Sequence, residues 1–306
     1  MARVFVTRRL PGPALQRLAK HHEVEVWPGE LPPDRGALAA GVAAADGLLS
    51  LLTDRVDAAL IDGAPHLRAI ANYAVGVDNI DLDAARQRGI QVGNTPDVLT
   101  EATADLTFAL LLAAARRLPE ALAAVPAGQW RTWEPARWLG AEVHGATLGI
   151  VGYGRIGRAV AERAQGFSMR VLHTGAGGCE LDELLGASDF VSLHCPLTPA
   201  THHLIDERAL MTMKPEAILI NTARGPIVDQ AALARALRDG RIAGAALDVT
   251  DPEPPAGDDP LLGAPNLLIT PHIGSATRAA RERMAALAVE NLLAALAGDT
   301  MPHRVV

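Results

Sequence analysis

The chain has 306 residues, 49% of them apolar and 21% charged, enough to bury the cores of two soluble domains and too apolar for extended disorder. A formal net charge of −7 gives no sign of a basic surface for nucleic acid or anionic membrane. Two cysteines, Cys179 and Cys195, are too few for a disulfide framework and suit a reducing cytosol. The chain opens on the strand-like Val4-Phe5-Val6 rather than a basic-then-apolar leader, and its longest apolar run, Leu106 to Ala115, is too short for a bilayer. A cytoplasmic protein with no membrane or nucleic-acid partner is therefore expected.

In chain order, the first strands predicted are Arg3–Thr7, Glu23–Val26, Gly47–Leu51, Arg68–Asn72 and Gln91–Gly93, each followed by a turn or an Ala/Leu-rich helical segment. That alternation implies a parallel sheet flanked by helices. A long helix is predicted from Thr100 to Leu118, with Thr100 as N-cap and Glu101 in the first turn. The loop from Pro126 to Gly145 then holds Trp130, Trp133 and Trp138, indoles that suit either local packing or an arm crossing to a partner subunit. A second alternating series has strands at Thr147–Val151, Arg170–Thr174, Asp189–His194, Ala217–Asn221, Gly244–Asp248 and Leu267–Thr270, with a helix at Gly157–Gly166. The last helix, Thr277 to Ala297, carries Met284, Leu287, Ala288 and Leu292 on one apolar face. The organisation expected is two α/β units joined by a long helix, the final helix folding back onto the first unit.

The strand at Thr147–Val151 runs into Gly152-Tyr153-Gly154-Arg155-Ile156-Gly157 and an Ala-rich helix. Gly152 permits the tight turn, Gly154 lets backbone approach a pyrophosphate, and Gly157 lets the helix pack close to the strand. The helix start, at Arg155 and Ile156, presents N–H groups to the phosphates. The acidic residue expected about 20 residues further on is missing, because the second strand ends in Thr174-Gly175-Ala176-Gly177-Gly178. Gly175 stands where a carboxylate would bind the ribose hydroxyls and repel a 2′-phosphate. Use of both cofactors follows, with a modest lean to NADPH over NADH.

Three later segments each place a polar residue after a strand end, where open α/β sheets keep their ligands. They are Asn221-Thr222-Ala223-Arg224-Gly225, Asp251-Pro252-Glu253-Pro254 and Thr270-Pro271-His272-Ile273-Gly274-Ser275. Singly, Arg224 reads as a surface ion-pair partner, Glu253 as a solvated loop residue and His272 as a helix cap. Together, after a dinucleotide loop, they resemble the D-isomer-specific 2-hydroxyacid dehydrogenase family, in particular its glyoxylate/hydroxypyruvate reductase branch. The resemblance includes Asn72-Tyr73-Ala74-Val75-Gly76-Val77-Asp78, Leu99-Thr100-Glu101-Ala102-Thr103-Ala104-Asp105, Ser192-Leu193-His194-Cys195-Pro196-Leu197-Thr198 and Ala246-Leu247-Asp248-Val249.

The resemblance implies two Rossmann-like, doubly wound parallel-sheet domains with a cleft between them: residues 1–98 plus 276–306 for substrate, flavodoxin-like, and 99–275 for the dinucleotide. It implies reduction of a small 2-keto acid, with Arg224 gripping carboxylate and carbonyl oxygen, His272 as the acid and Glu253 orienting its ring. Leu51, Val75, Gly76 and Trp138 would line the substrate site. Thr103, Thr174, Cys195, Pro196, Thr201, Thr222, Ala223, Asp248 and Gly274 would join the glycine loop against the cofactor, with Asp248 toward the nicotinamide carboxamide. No residue is assigned to a metal, and a homodimer through the linking helix and Trp loop is expected. Competing expectations are another D-2-hydroxyacid, formate or phosphite dehydrogenase of the family, or a dinucleotide-gated corepressor, whose terminal tails this sequence lacks.

Overall fold

Eleven strands, every neighbouring pair parallel, form two separate sheets. The computed structural model describes residues 1–306, which divide into two units, Met1–Leu99 with Ala276–Val306 and Thr100–Ser275.

The first unit contains β1 (Arg3–Val6), α1 (Ala14–Ala19), β2 (Glu23–Val26), α2 (Arg35–Ala43) and β3 (Gly47–Ser50). It continues with α3 (Ala58–Asp62), β4 (Ala69–Asn72), α4 (Leu82–Gln87) and β5 (Gln91–Gly93). Its strand order is β2-β1-β3-β4-β5, the flavodoxin-like arrangement. The short helices α2, α3 and α4 start on Asp34, Asp57 and Asp81, whose carboxylates accept the N–H groups of Ala37, Leu60 and Ala84. Leu38, Val42, Leu60, Ile61 and Ala85 of these helices bury one sheet face with Phe5, Leu48, Ile70 and Val92.

In the second unit, α5 (Thr100–Ala115) and α6 (Leu118–Ala124) precede β6 (Thr147–Val151), α7 (Arg155–Gln165), β7 (Arg170–His173) and α8 (Leu181–Ala187). Then come β8 (Phe190–Leu193), α9 (Glu207–Thr212), β9 (Ile218–Asn221), α10 (Gln230–Arg238), β10 (Gly244–Leu247) and β11 (Leu267–Ile269). The sheet order is β11-β10-β9-β8-β6-β7. Helices α8, α9 and α10 cover one face through Leu184, Leu210 and Leu233. Helices α5 and α7 cover the other through Phe108, Leu111 and Val160. A full dinucleotide-binding sheet runs 3-2-1-4-5-6; this chain has no strand outside β7, which is left as the edge.

The chain closes with α11 (Arg278–Ala297), which packs on β3, β4 and α1 of the first unit. Thr277 caps it by accepting Ala280 N–H, and Gly298 ends it in the left-handed region at φ 94°. Met284, Ala288 and Leu292 are buried as the sequence periodicity predicts, while Leu287 of the same expected face is half-buried.

Three expectations need correction. The helix predicted to Leu118 stops at Ala115, because Arg117 is left-handed at φ 50° and Pro119, which has no N–H, sits in the first turn of α6. Thr100 is the first helical residue of α5 rather than its preceding cap. Several strands also end one residue short of their predicted ends, for example before Thr7, Leu51, Thr174 and Asp248, where the chain leaves the ladder for the loops that carry the polar residues.

Candidate active site

The glycine loop sits at the C-terminal end of β6, between β7 and β8, where the sheet changes direction of winding. Gly152 has φ 98°, and a Cβ there would stand 2.5 Å from the backbone nitrogen of Cys195. Only glycine satisfies both conditions. A Cβ on Gly154 would meet nothing within 4 Å, so this backbone is open to an approaching group. Gly154 is also the N-cap of α7 and supplies no capping side chain, so no cap covers the first turn of α7, which begins Arg155-Ile156-Gly157. An open glycine edge at a helix start without a side-chain cap fits a pyrophosphate. Thr174 Oγ1 accepts the Gly152 N–H at 3.1 Å and ties the end of β7 to the loop. Gly175 follows at φ 100°, with open space where its Cβ would be. Cys195 is buried, which pushes its thiol up; burial pushes the neighbouring His194 ring down to about 3. Neither is a thiolate or a charged acid at neutral pH. Pro196 accepts a hydrogen bond from Thr201 Oγ1 at 2.6 Å, which closes the loop after β8.

Arg224, Glu253 and His272 follow the C-terminal ends of three adjacent strands, β9, β10 and β11. Asn221 fixes the first of these loops, accepting Ala223 N–H at 3.0 Å and donating to Arg224 O at 2.8 Å. Arg224 is extended and half-buried, with Nη1 donating to Ala223 O. Next to it, Gly225 packs so tightly on Thr250 that no Cβ fits, which brings the Arg224 loop against the loop leading to Glu253. The Glu253 carboxylate lies 2.9 Å from His272 Nδ1 through Oε2 and accepts Thr250 N–H at 3.2 Å through Oε1. With Nδ1–H donating to the carboxylate, the Nε2 edge of the ring remains for chemistry.

Asp248 is 1% exposed and accepts three hydrogen bonds: Thr270 Oγ1 at 2.6 Å, Ile273 N at 2.8 Å and Gly274 N at 2.7 Å. A carboxylate offers about four lone-pair sites, so the turn carrying His272 engages most of this group. Gly274 also faces Thr103 of α5, and Thr107, whose hydroxyl donates to Thr103 O, meets Thr222 at 3.0 Å. Thr103, Thr222, Ala223, Asp248 and Gly274 are thus gathered around the ends of β9 to β11. Trp138 is half-buried and left-handed at φ 54°, with the Arg137 guanidinium carbon 4.3 Å from its ring centroid.

In the first unit, two asparagines shape the turn holding Val75 and Gly76. Asn72 Nδ2 donates to Gly76 O at 2.8 Å, and Asn94 Nδ2 to Val75 O at 2.7 Å. Asn79 Nδ2 donates to Leu51 O at 3.0 Å and Asp54 O at 2.9 Å, while Asp54 accepts Leu51 N–H at 2.7 Å. Sequence reasoning missed Asn72, Asn79 and Asp54 as supports; the amide pair flanking a glycine turn was the available signal. It also missed that Tyr153, between the two loop glycines, lies flat on His173 of β7, with ring centroids 3.8 Å apart and planes 8° apart.

Residues 108–274 match the model of the D-isomer specific 2-hydroxyacid dehydrogenase NAD binding domain. The chain is 50% identical to a glyoxylate reductase of Korarchaeum cryptofilum, over 99% of this chain and 95% of that protein. It is 54% identical to a protein of Thermus thermophilus of known crystal structure, with a TM-score of 0.94 and coverage of 99% of this chain and 100% of that one. A third similar protein is the NADPH-dependent glyoxylate/hydroxypyruvate reductase of Sinorhizobium meliloti, solved with NADP and malonate. There the identity is 33%, the TM-score 0.88, and coverage 100% of this chain and 97% of that one.

Proposed function

The chain belongs to the D-isomer-specific 2-hydroxyacid dehydrogenase family, and we propose that it reduces a small 2-keto acid, glyoxylate or hydroxypyruvate, to the D-2-hydroxy acid. Membership makes it a nicotinamide-dependent oxidoreductase. The observation that carries the proposal is the His272–Glu253 pair, held at 2.9 Å beside the Arg224 loop on consecutive strand ends.

Reduction of a keto acid needs a carboxylate anchor, a polarised carbonyl, a hydride and a proton. The nicotinamide, when bound, supplies the hydride to the carbonyl carbon. Arg224 offers two parallel N–H donors, one set for the substrate carboxylate and the carbonyl oxygen, a geometry lysine does not have. His272 delivers the proton from Nε2 to the carbonyl oxygen, which becomes the hydroxyl. Glu253 holds the ring in the tautomer and orientation that make this possible. In the first unit, asparagines tie back the carbonyls of the Val75–Gly76 turn, an arrangement whose backbone N–H groups suit a carboxylate. Trp138 limits the size of the group beside the carbonyl.

For the cofactor we propose both NADPH and NADH, with NADPH modestly preferred, because the open Gly175 neither repels a 2′-phosphate nor grips a ribose hydroxyl. The measurement is loss of reduced-nicotinamide absorbance when glyoxylate, hydroxypyruvate, pyruvate and phenylpyruvate are added in turn. Turnover fastest with glyoxylate or hydroxypyruvate supports the reading; no turnover with any of the four overturns it. The S. meliloti relative is described as acting on both of the first two compounds with NADPH, and the K. cryptofilum relative on glyoxylate.

A further inference from the structure

The β7 edge leaves the ribose end of the dinucleotide site with few residues to build from. In a full sheet a third strand and its approach flank β7. Here the turn from Gly175 to Gly178 closes on itself through Gly178 N–H and Gly175 O at 2.9 Å, and the chain enters α8 at once. The turn carries no charge. Asp182 of α8 is held by Arg208 at 2.7 and 3.1 Å, and Glu180 is exposed at the N-cap without a capping bond. Recognition at this end therefore falls to the tip of β7, the glycine loop and the first turns of α7.

These three segments meet in a stack. The Tyr153 ring of the loop lies on the His173 ring of β7, and Arg158, exposed on α7, has its guanidinium carbon 5.7 Å from the Tyr153 centroid. That distance is within range of a cation–π contact. Arg163, further along the same helix, is held by Glu101 at 2.8 Å and Asp105 at 2.6 Å; Arg158 lies instead over the aromatic pair. Cβ atoms added to Gly175 or Gly177 would meet nothing within 4 Å, so the space over the turn is open. An arginine braced by a ring at the open edge of the ribose end, with no carboxylate on the turn, is the chemistry that receives a phosphate dianion.

We propose that Arg158, braced by the Tyr153–His173 stack, is the cation that binds the ribose 2′-phosphate of NADP(H), in place of a charged residue on the turn after β7. This rests on the NADPH preference given above, and fragments of the cofactor separate the two. Titration calorimetry compares adenosine 2′,5′-bisphosphate with adenosine 5′-monophosphate on the whole protein. The native protein should bind the bisphosphate at least about tenfold more tightly, a difference of about 1.4 kcal/mol. Arg158→Ala should bring the ratio to within about threefold while the affinity for the monophosphate stays unchanged. Tyr153→Phe, which keeps the stack, should keep most of the ratio, and Tyr153→Leu should lose part of it. Equal affinities in the native protein overturn both the preference and the site. A native preference that survives Arg158→Ala overturns the assignment to Arg158 alone.

Discussion

Asp248 and His272 are joined through both backbone and side chain. His272 N–H donates to Asp248 O at 3.0 Å, and the Asp248 carboxylate accepts the next two N–H groups along the chain, those of Ile273 and Gly274. This turn holds His272 at φ 52°, a left-handed conformation that costs a non-glycine residue about 1 kcal/mol. The buried carboxylate offsets that cost and sets where the imidazole stands relative to Glu253.

Asp248→Asn should therefore damage turnover more than cofactor affinity. The variant keeps one acceptor oxygen but turns an amide donor either toward Gly274 N–H or toward Ile273 N–H and the Thr270 hydroxyl, leaving at least one backbone donor unpaired. Such a loss costs about 1–3 kcal/mol, so kcat should fall roughly 5- to 150-fold through displacement of His272. NADPH affinity, read by quenching of protein fluorescence, should change less than about threefold. A large loss of NADPH affinity with little change in kcat would instead make carboxamide binding the main task of Asp248.

Much of the fold was legible because both sheets are parallel and buried, so their strands are short apolar runs such as Leu148–Val151 and Ile218–Ile220. The glycine loop was legible for a similar reason, since Gly152 must tolerate both a positive φ and the close approach of Cys195. Contacts between residues far apart in sequence were not. Nothing local to Asp248 marks it as the acceptor for Ile273 and Gly274, and nothing in Tyr153 or His173 alone announces that the two rings meet. Such pairs arise only when β6 is laid beside β7 and β10 beside β11.

The Glu253–His272 pair predicts a loss of turnover when the carboxylate is neutralised. Glu253→Gln retains an oxygen for Thr250 N–H but replaces the charge-assisted bond to Nδ1 at 2.9 Å with a neutral one. That exchange costs about 1–2 kcal/mol, so kcat for glyoxylate should fall roughly 5- to 30-fold, while NADPH affinity changes less than about threefold. Native kcat in the Gln variant would show that Glu253 does not orient His272.

Arg224→Lys keeps the charge and discards the planar two-pronged donor. If Arg224 holds carboxylate and carbonyl oxygen together, at least one charge-assisted bond to the substrate is lost, worth about 1.5–3 kcal/mol. The expected result is a fall in kcat/KM for glyoxylate of roughly 10- to 200-fold. NADPH affinity should hold, because Arg224 is directed by Asn221 and Ala223 at the end of β9 rather than at the glycine loop. Near-normal turnover in the Lys variant places the anchor elsewhere.

The second unit carries apolar surface that no residue of its own covers. Trp130 and Trp133 are 62% and 81% exposed, and Leu118, Leu122, Val125 and Leu139 are also exposed. Soluble monomers rarely leave several large apolar side chains together in water. Each indole offers roughly 200 Å² of area, and at about 25 cal/mol per Å² burial of two would contribute several kcal/mol gross to association. We expect a homodimer that buries these side chains, with Trp138, half-buried in a left-handed turn of the same loop as Trp130 and Trp133, brought into the partner's substrate site. Light scattering should give twice the chain mass for the native protein, and Trp130→Ser with Trp133→Ser should shift it toward the monomer at micromolar concentration. Trp138→Ala should leave the dimer intact and raise the ratio of phenylpyruvate to glyoxylate kcat/KM by roughly tenfold or more, the effect of a few methylene-sized contacts. A native monomer with full activity would eliminate the shared site, and a dimer whose Trp138→Ala variant keeps native selectivity would limit the Trp loop to assembly.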